Sequence, residues 1–596
     1  MQSVLIRLLS LCCLMLIAAG AGAARLEIPL RIPLEAVGQA LDAQLARAVY
    51  REGRCRYLKI ANPRLESVKG RLRFVGDGSA AMGVEWMGNC QNAALWRGVV
   101  EATLIPTLDR AGRLRMRIVD SKLVDVPGRP PSAAGFIWDL SKQQLHPRLQ
   151  RFSFDTEAIR STLLEIVRSA APPEHAAELE SVLTQLRILQ PRVEPSAIVV
   201  PIALELPDAW LTAPPAAVST APLTEAELDA LDKALEPWDA FLLYSVKQLA
   251  LDNEDAELRK RLLALLLDSR YQLAAMLAGD TRTAGDPVRA LFIDAWSEMR
   301  TALADARYAL FLDAGDALLA LDSAAPGLGM RLSADGLRQL ARSLRPGTAG
   351  DPLAYDWAVD PQLGALFGIE EIPKEEPSLP RRSWLELFIR SAHAAAQATA
   401  KPALDRWVPT RTELRAYEAR IGELLHKTGA IERRRAALPA PYDQIYRHLL
   451  PATALIESCW RQYELRAGEV RYVRSASSSV GIMQINERVW RGFYDIHRLR
   501  WDTAYNARAG AQILMRYVKD YAIPYAERSG DLNHVALAAY AVYNAGPRAV
   551  GRFNKVPRHP REERVDERLW TLFKGIATGG QADLRTCAVT NAAAAR

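Results

Sequence analysis

The chain has 596 residues, a formal charge of +7 and a pI of about 9.0, with 49% hydrophobic and 24% charged residues. The length exceeds what one hydrophobic core supports, and the balance excludes wholesale disorder, a collagen-like fibre and a polytopic membrane protein. Lys and Arg outnumber Asp and Glu by 76 to 69, and residues 436–596 alone carry 23 against 15, so an anionic partner is expected at the last quarter of the chain.

The first residues combine Arg7, a mostly apolar run from Leu8 to Ile17, and the small residues Ala18–Ala23. This predicts a secretory signal over residues 1–23, cleaved after Ala23, because the apolar run is short for a bilayer span. Cys12 and Cys13 lie in that run, but Leu11 and Cys12 are poor residues to precede a lipidated cysteine, which disfavours lipid attachment. The expected location is the periplasm or cell envelope. Export leaves Cys55, Cys90, Cys459 and Cys587, an even number that permits two disulfides. Proximity in sequence pairs Cys55 with Cys90 and Cys459 with Cys587; the alternative is that some remain free and buried. Cysteines scattered singly, with no His-x-x-x-His pair, give no metal site.

Residues 24–207 mix short alternating stretches with helical ones. Leu72–Val75, Val99–Thr107 and Arg113–Val126 predict strands, with Asp109-Arg110-Ala111-Gly112 as a hairpin turn. A weak repeat runs through this zone. Glu35-Ala36-Val37 with Leu41 is echoed by Glu157-Ala158-Ile159 with Leu163, and Ile60-Ala61-Asn62-Pro63-Arg64-Leu65-Glu66 by Ile188-Leu189-Gln190-Pro191-Arg192-Val193-Glu194. The expectation is an α+β domain of two related halves, each a helix followed by an extended ladder. Such duplicated halves resemble the tubular lipid-binding domains of envelope proteins, which implies a lipid or envelope-protein partner for residues 24–207. A spacer or docking domain without a ligand is the alternative.

Residues 208–435 are rich in Ala, Leu and charged residues at helical spacing. Thr224-Glu225-Ala226-Glu227 forms a capping box, with Leu228, Leu231 and Leu235 following on one face. Helical runs continue through Arg259–Ala278 and Asp286–Leu321, Ile372–Pro380 predicts an exposed linker, and Thr410-Arg411-Thr412-Glu413 is a second capping box. The zone predicts a mostly α-helical domain. Its Ala/Leu stripes and tryptophans (Trp238, Trp296, Trp384) read as packing seams rather than chemistry.

Residues 436–596 carry the candidate chemistry. Ala454-Leu455-Ile456-Glu457-Ser458-Cys459-Trp460 delivers a glutamate from an apolar helical face beside a tryptophan. Burial there disfavours the carboxylate and raises its pKa, as a general acid working near neutral pH requires. Ser475-Ala476-Ser477-Ser478-Ser479-Val480-Gly481-Ile482-Met483-Gln484-Ile485 is a small-residue run able to pass close to a ligand. Ala538-Ala539-Tyr540-Ala541-Val542-Tyr543-Asn544-Ala545-Gly546-Pro547 ends a helix with Asn, Gly and a proline stop.

In this order the three segments resemble the catalytic domain of the soluble-type lytic transglycosylases, a family related to goose-type lysozyme, over about residues 436–574. The resemblance implies a lysozyme-like, predominantly helical domain with Glu457 as catalytic acid/base. It implies Gln484 in contact with sugar, Met483 in the cleft wall, Tyr543 near the reacting ring with Asn544 beside it, and Ser475 as a cleft serine. Two departures stand out. The segment between Glu457 and Gly481 is several residues longer than the family pattern, and Ser478-Ser479 and Ile482 replace the usual Gly-Ala and Leu. The insertion bears directly on the assignment of Ser475.

The implied activity is cleavage of the β-1,4 bond between N-acetylmuramic acid and N-acetylglucosamine in peptidoglycan, leaving 1,6-anhydro ends, as in murein turnover. It needs no metal, cofactor or nucleic acid. A muramidase using Glu464, Glu469 or Glu487 to activate water is the nearest alternative, and a non-catalytic cell-wall docking protein is another. His497 and His534 have no partner pattern and read as structural.

Overall fold

The computed structural model describes residues 24–45, 50–52, 54–87, 89–125, 134–212, 223–279, 286–303, 308–347, 349–373, 404–580 and 584. The expected signal segment, most of the expected linker (374–380), Trp384 and Cys587 lie outside the described residues. The protein is a mixed α+β chain of two compact units. One takes Met1–Ser219 with Ala284–Pro352, the other Thr220–Thr283 with Leu353–Arg596.

In the first unit, β1 (Ala24–Pro33) leads into α1 (Leu34–Leu45) and then into an antiparallel meander. Its strands are β2 (Tyr50–Glu52), β3 (Arg56–Val68), β4 (Arg71–Trp86), β5 (Asn89–Leu108) and β6 (Leu114–Asp125). After α2 (Ala134–Arg151), β7 (Ser153–Phe154) completes a six-stranded sheet in sequence order. Alternation decides which face is covered. Leu58, Leu72, Phe74, Val100, Ala102 and Leu104 are buried, and α1 packs on β3 and α2 on β6. The expected Asp109–Gly112 turn forms, with Asp109 Oδ1 accepting from the amides of Ala111 (2.9 Å) and Arg113 (3.0 Å). The Cys55–Cys90 disulfide is present; Cys459 is also disulfide-bonded, its expected partner lying outside the described residues.

The chain continues through α3 (Glu157–Ser169), α4 (Ala176–Thr184), β8 (Arg187–Ile188), β9 (Arg192–Val193) and β10 (Ala197–Leu206). Strand β10, nearly all aliphatic and buried, pairs with β1 along its whole length and with β8 and β9. Both helices of the expected repeat form, but the ladders that follow are unlike. Ile60–Glu66 lies in the 13-residue β3 of the large sheet, whereas Ile188–Glu194 contributes two two-residue strands to a separate one. Short sequence echoes specify local conformation, and long-range pairing decided the rest.

The helical stretch expected as one domain over 208–435 is shared between the units. Helices α5 (Glu225–Asp252) and α6 (Ala256–Leu277) belong to the second unit, while α7 (Pro287–Ala302), α8 (Ala309–Ala324) and α9 (Ala334–Leu344) return to the first, where α8 packs on β1. An Ala/Leu stripe reads the same whichever partner covers it. The Thr224 box forms as expected: Thr224 Oγ1 accepts from the Glu227 amide at 3.3 Å, and Glu227 Oε2 accepts from the Thr224 amide at 2.7 Å.

The rest of the second unit comprises α10 (Pro361–Leu366), α11 (Leu414–Ala436), α12 (Ala440–Ser458), the hairpin β11 (Tyr463–Arg466) and β12 (Glu469–Tyr472), and the short pair β13 (Ser479–Val480) and β14 (Ile485–Asn486). Then follow α13 (Ile496–Trp501), α14 (Thr503–Tyr517), α15 (Ile523–Ser529), α16 (His534–Ala545) and α17 (Pro560–Ala577). Thr410 and Glu413 bond as a capping box would, but one turn ahead of α11. A π-helical stretch, Val518–Ala522, joins α14 to α15, where Pro524 has no N–H to continue the α ladder.

Candidate active site

Helix α12 buries Tyr446, Leu449, Leu450 and Thr453 along one face, and the Tyr446 hydroxyl ties it to the Ala511 carbonyl of α14 at 2.8 Å. The helix stops at Cys459 (φ +54°) and Trp460 (φ +57°), both left-handed, and the Trp460 indole donates back to the Pro451 carbonyl at 2.9 Å. This holds Glu457 in the last turn with its side chain in a cavity. Ser458 acts structurally: its hydroxyl donates to the Ile482 carbonyl at 2.7 Å, locking the end of α12 to the following loop.

The unusually long segment after Glu457 is a β-hairpin. Tyr463 pairs with Tyr472 and Arg466 with Glu469 across a two-residue turn, Ala467-Gly468, with φ of +52° and +83°. The hairpin packs through Tyr463 and Tyr472 on Trp501. The chain then enters residues 475–486, which two buried amides hold in place of a long ladder. Gln462 Oε1 accepts from the Ile482 amide (2.7 Å) and Asn506 Oδ1 from the Met483 amide (2.9 Å), while Asn506 Nδ2 donates to the Val480 carbonyl (3.0 Å). Gly481 sits at φ +76°, and a Cβ there would lie 2.3 Å from Asn506 Nδ2 and 2.5 Å from Gln462 Oε1. Gly481→Ala is therefore expected to cost more than about 2 kcal/mol of stability, read by urea denaturation.

Glu457, Ser475, Gln484, Tyr543 and Asn544 line one cavity of about 630 Å³, together with Tyr271, Ser477, Asn486, Arg552 and Glu562. The Gln484 side chain donates to the Gly481 carbonyl at 2.9 Å, and the Ser475 hydroxyl accepts from the Ser479 amide at 3.0 Å. Met483 is not in the lining: it is fully buried behind the wall, filling the space that Gly510 leaves open. Gln484 has φ +48°, and this left-handed turn of the backbone sends the two neighbouring side chains apart. Tyr543 reaches the site through its backbone as well. Its hydroxyl donates to the Met483 carbonyl at 2.7 Å, and its own carbonyl accepts from Tyr271 at 3.1 Å.

Tyr271 corrects the expectation that residues 208–435 hold only packing seams, since α6 brings it into the cavity wall. Gly546 (φ +90°) makes room for it: a Cβ there would stand 2.7 Å from the Tyr271 ring. Nothing in a leucine-rich helix marks such a tyrosine in advance. Tyr540 was also missed, although its place three residues before Tyr543 on the same helix was a signal that could have found it.

Burial pushes the Glu457 carboxyl up to about 7, against the opposing pull of a hydrogen bond from Tyr540 and the positive charge of Arg552. Its Oε1 is shielded from solvent and has no hydrogen-bond partner. Arg552 is fixed rather than free, bonded to Asp566 (2.7 Å) and to the Asn544 side chain (2.8 Å). Removing the Tyr540 hydroxyl withdraws a donor that favours the ionised form. In Tyr540→Phe the titration of Glu457, followed by the pH dependence of activity, is expected to move to higher pH, with about 1 kcal/mol of stability lost.

The acids of the insertion do not line the cavity. Glu464 and Glu469 stand on the hairpin, and Glu487 is buried against Arg500 and Arg474. The basic excess is partly internal too: Arg488 and Arg491 find their counter-charges, Asp232 and Asp239, on α5. His497 is exposed, and His534 bonds the Ser529 hydroxyl at 2.7 Å; neither lines the cavity.

No protein-family model, curated protein or solved structure matches this chain. Its site is therefore read from its own geometry. Among the described residues no three His, Cys, Asp or Glu side chains gather as a metal site, and no helix is long and apolar enough to cross a membrane.

Proposed function

We propose that the chain is a lytic transglycosylase of the cell envelope, cleaving the β-1,4 bond between N-acetylmuramic acid and N-acetylglucosamine in peptidoglycan. The observation that carries this reading is a half-buried glutamate with a pKa of about 7 and an unpartnered oxygen, set in a cavity with Gln484, Ser475 and Tyr543. Glu457, Gln484 and Tyr543, in this order, are the residues that the resemblance to the transglycosylase family implies, while the insertion leaves Ser475 resting on its place in the cavity.

Protonated Glu457 donates its proton to the leaving glycosidic oxygen. The acetamide oxygen of the muramyl sugar supports the positive charge that develops at its C1, so a second carboxylate is not needed. Glu457, now ionised, takes the proton of that sugar's 6-hydroxyl as its oxygen bonds C1, closing a 1,6-anhydro ring. The bond broken and the bond formed are both C–O bonds at C1, the proton returns to Glu457, and no water enters. Because the attacking hydroxyl belongs to the substrate, its proximity lowers the barrier by several kcal/mol, to order of magnitude.

Glu562, half-buried on α17 at the same cavity, supports a second reading, in which it activates water for hydrolysis. Mass analysis of the muropeptides released from purified sacculi separates the two. Anhydro ends, lighter by one water, are expected; reducing ends alone would make the chain a muramidase. An envelope lipid or protein as the partner of residues 24–207 belongs to the same proposal, supported by the sequence pattern there.

A further inference from the structure

We infer that the free end of the β4–β5 hairpin in the first unit is a docking tip for an anionic lipid surface. Large apolar side chains gather there in the open: Val84 is 58% exposed, Trp86 65% and Met87 87%, and Leu95, five rungs back from the end, is 64% exposed. Isolated exposed apolar residues are ordinary, but three of them at the end of one hairpin with a fourth behind them are not. They also occupy both faces of it. On β4, Leu72, Phe74 and Ala80 mark the covered face, and Val84 and Trp86 continue that alternation beyond the core. Leu95 is paired with Ala81 and points the other way from Trp96, which is paired with Ala80 and buried. A protein partner covers one face of a sheet, whereas a lipid interface surrounds whatever enters it.

The charge beside the tip has the sign this requires. Arg51, Arg54 and Arg56 come from the adjoining β2–β3 turn, which the Cys55–Cys90 disulfide and a 3.2 Å bond from Arg56 Nε to the Gly83 carbonyl fasten to the tip. Lys59 and Arg97 flank Ser79 on one rung, farther from the end. Against these stand only Glu52 and Glu85 within the same stretches. Two such ends would repel one another, which argues against a second copy as occupant, while anionic headgroups would be attracted. Tryptophan and methionine at the tip with arginines behind them match an interfacial segment, apolar body inward and charge at headgroup level. This is an outer surface and requires no lipid inside the fold.

The test is flotation of the full chain with vesicles of phosphatidylcholine alone or with about one-third phosphatidylglycerol, at low and high salt. Binding is expected only to the anionic vesicles and to weaken with salt. Trp86→Ser with Met87→Ser should weaken it about tenfold or more, and Arg51→Gln with Arg54→Gln by a similar factor, with the thermal melt unchanged. Failure of the wild type to float, undiminished binding by the Trp86/Met87 variant, or a dimer of the wild type that this variant dissociates would each overturn the proposal.

Discussion

Under the proposed mechanism Glu457→Gln is expected to leave the chain folded and to lower glycan cleavage by about 10²–10⁴-fold, to be read as muropeptide release from sacculi. The amide keeps the shape of the side chain but has no proton to give to a leaving oxygen at neutral pH. Wild-type activity should show an alkaline limb near pH 7, where the buried carboxyl loses the proton it must donate. A mechanism in which Glu457 serves as acid and then as base calls for no acidic limb from a second carboxylate, whereas hydrolysis assisted by Glu562 does. The same shift has a stability consequence of known sign. A carboxyl whose folded pKa lies above its unfolded one binds its proton more tightly when folded. Its contribution is therefore intact below about pH 4.5 and is lost as the pH rises through about 7. At pH 8 the Gln variant is expected to be more stable than wild type by on the order of 3 kcal/mol, with little difference at pH 4. Unchanged cleavage by this variant would falsify the enzymatic reading.

What the sequence disclosed was mostly local. The Thr224 box and the Asp109 turn follow from residues within a few positions of each other, the Cys55–Cys90 bridge joins cysteines 35 residues apart across β3 and β4, and each formed as expected. The cavity residues came from a different kind of signal: Glu457, Gln484 and Tyr543 are implied together by a family resemblance, and all three line one cavity. What stayed hidden was decided by distant partners. Whether α5 and α6 pack with residues 284–352 or with residues 353–596 depends on which surface complements their apolar stripes, and a stripe carries no address. Tyr271 was hidden with them. Met483 and Gln484, adjacent in sequence, part company because of one left-handed residue that is not glycine, which no propensity would suggest.

The packing of α5 and α6 yields the second large expected effect. Asp239 and Arg270 are each 1% exposed and Arg491 is 2% exposed. Arg270 bonds Asp239 through Nε at 2.7 Å and through Nη2 at 3.1 Å, and Arg491 Nε reaches the same carboxylate at 2.9 Å. Burial alone would raise the Asp239 carboxyl, yet the two guanidinium groups hold it below its ordinary range. The surplus positive charge is met by the Val489 and Arg491 carbonyls, which accept from Arg270 Nη1, and by the Trp357 ring, 4.8 Å from the Arg491 guanidinium carbon. Removing the carboxylate leaves two buried cations with no counter-charge, so Asp239→Ala is expected to cost about 3–5 kcal/mol. Calorimetry of the full chain should show the transition of the second unit moving to lower temperature. Replacing all three groups at once (Asp239→Leu, Arg270→Met, Arg491→Leu) should recover much of that loss, since no charge is then stranded. A cost below about 1 kcal/mol for Asp239→Ala would mean that water reaches the cluster. The knot also bears on the site, because Trp490, between the two anchored carbonyls, lines the cavity that holds Glu457. In the triple variant the carbonyls of Val489 and Arg491 lose their donor while the charges are gone. A restored melting temperature with a still-reduced turnover is thus the expected sign that this cluster positions the cavity wall as well as stabilising the unit.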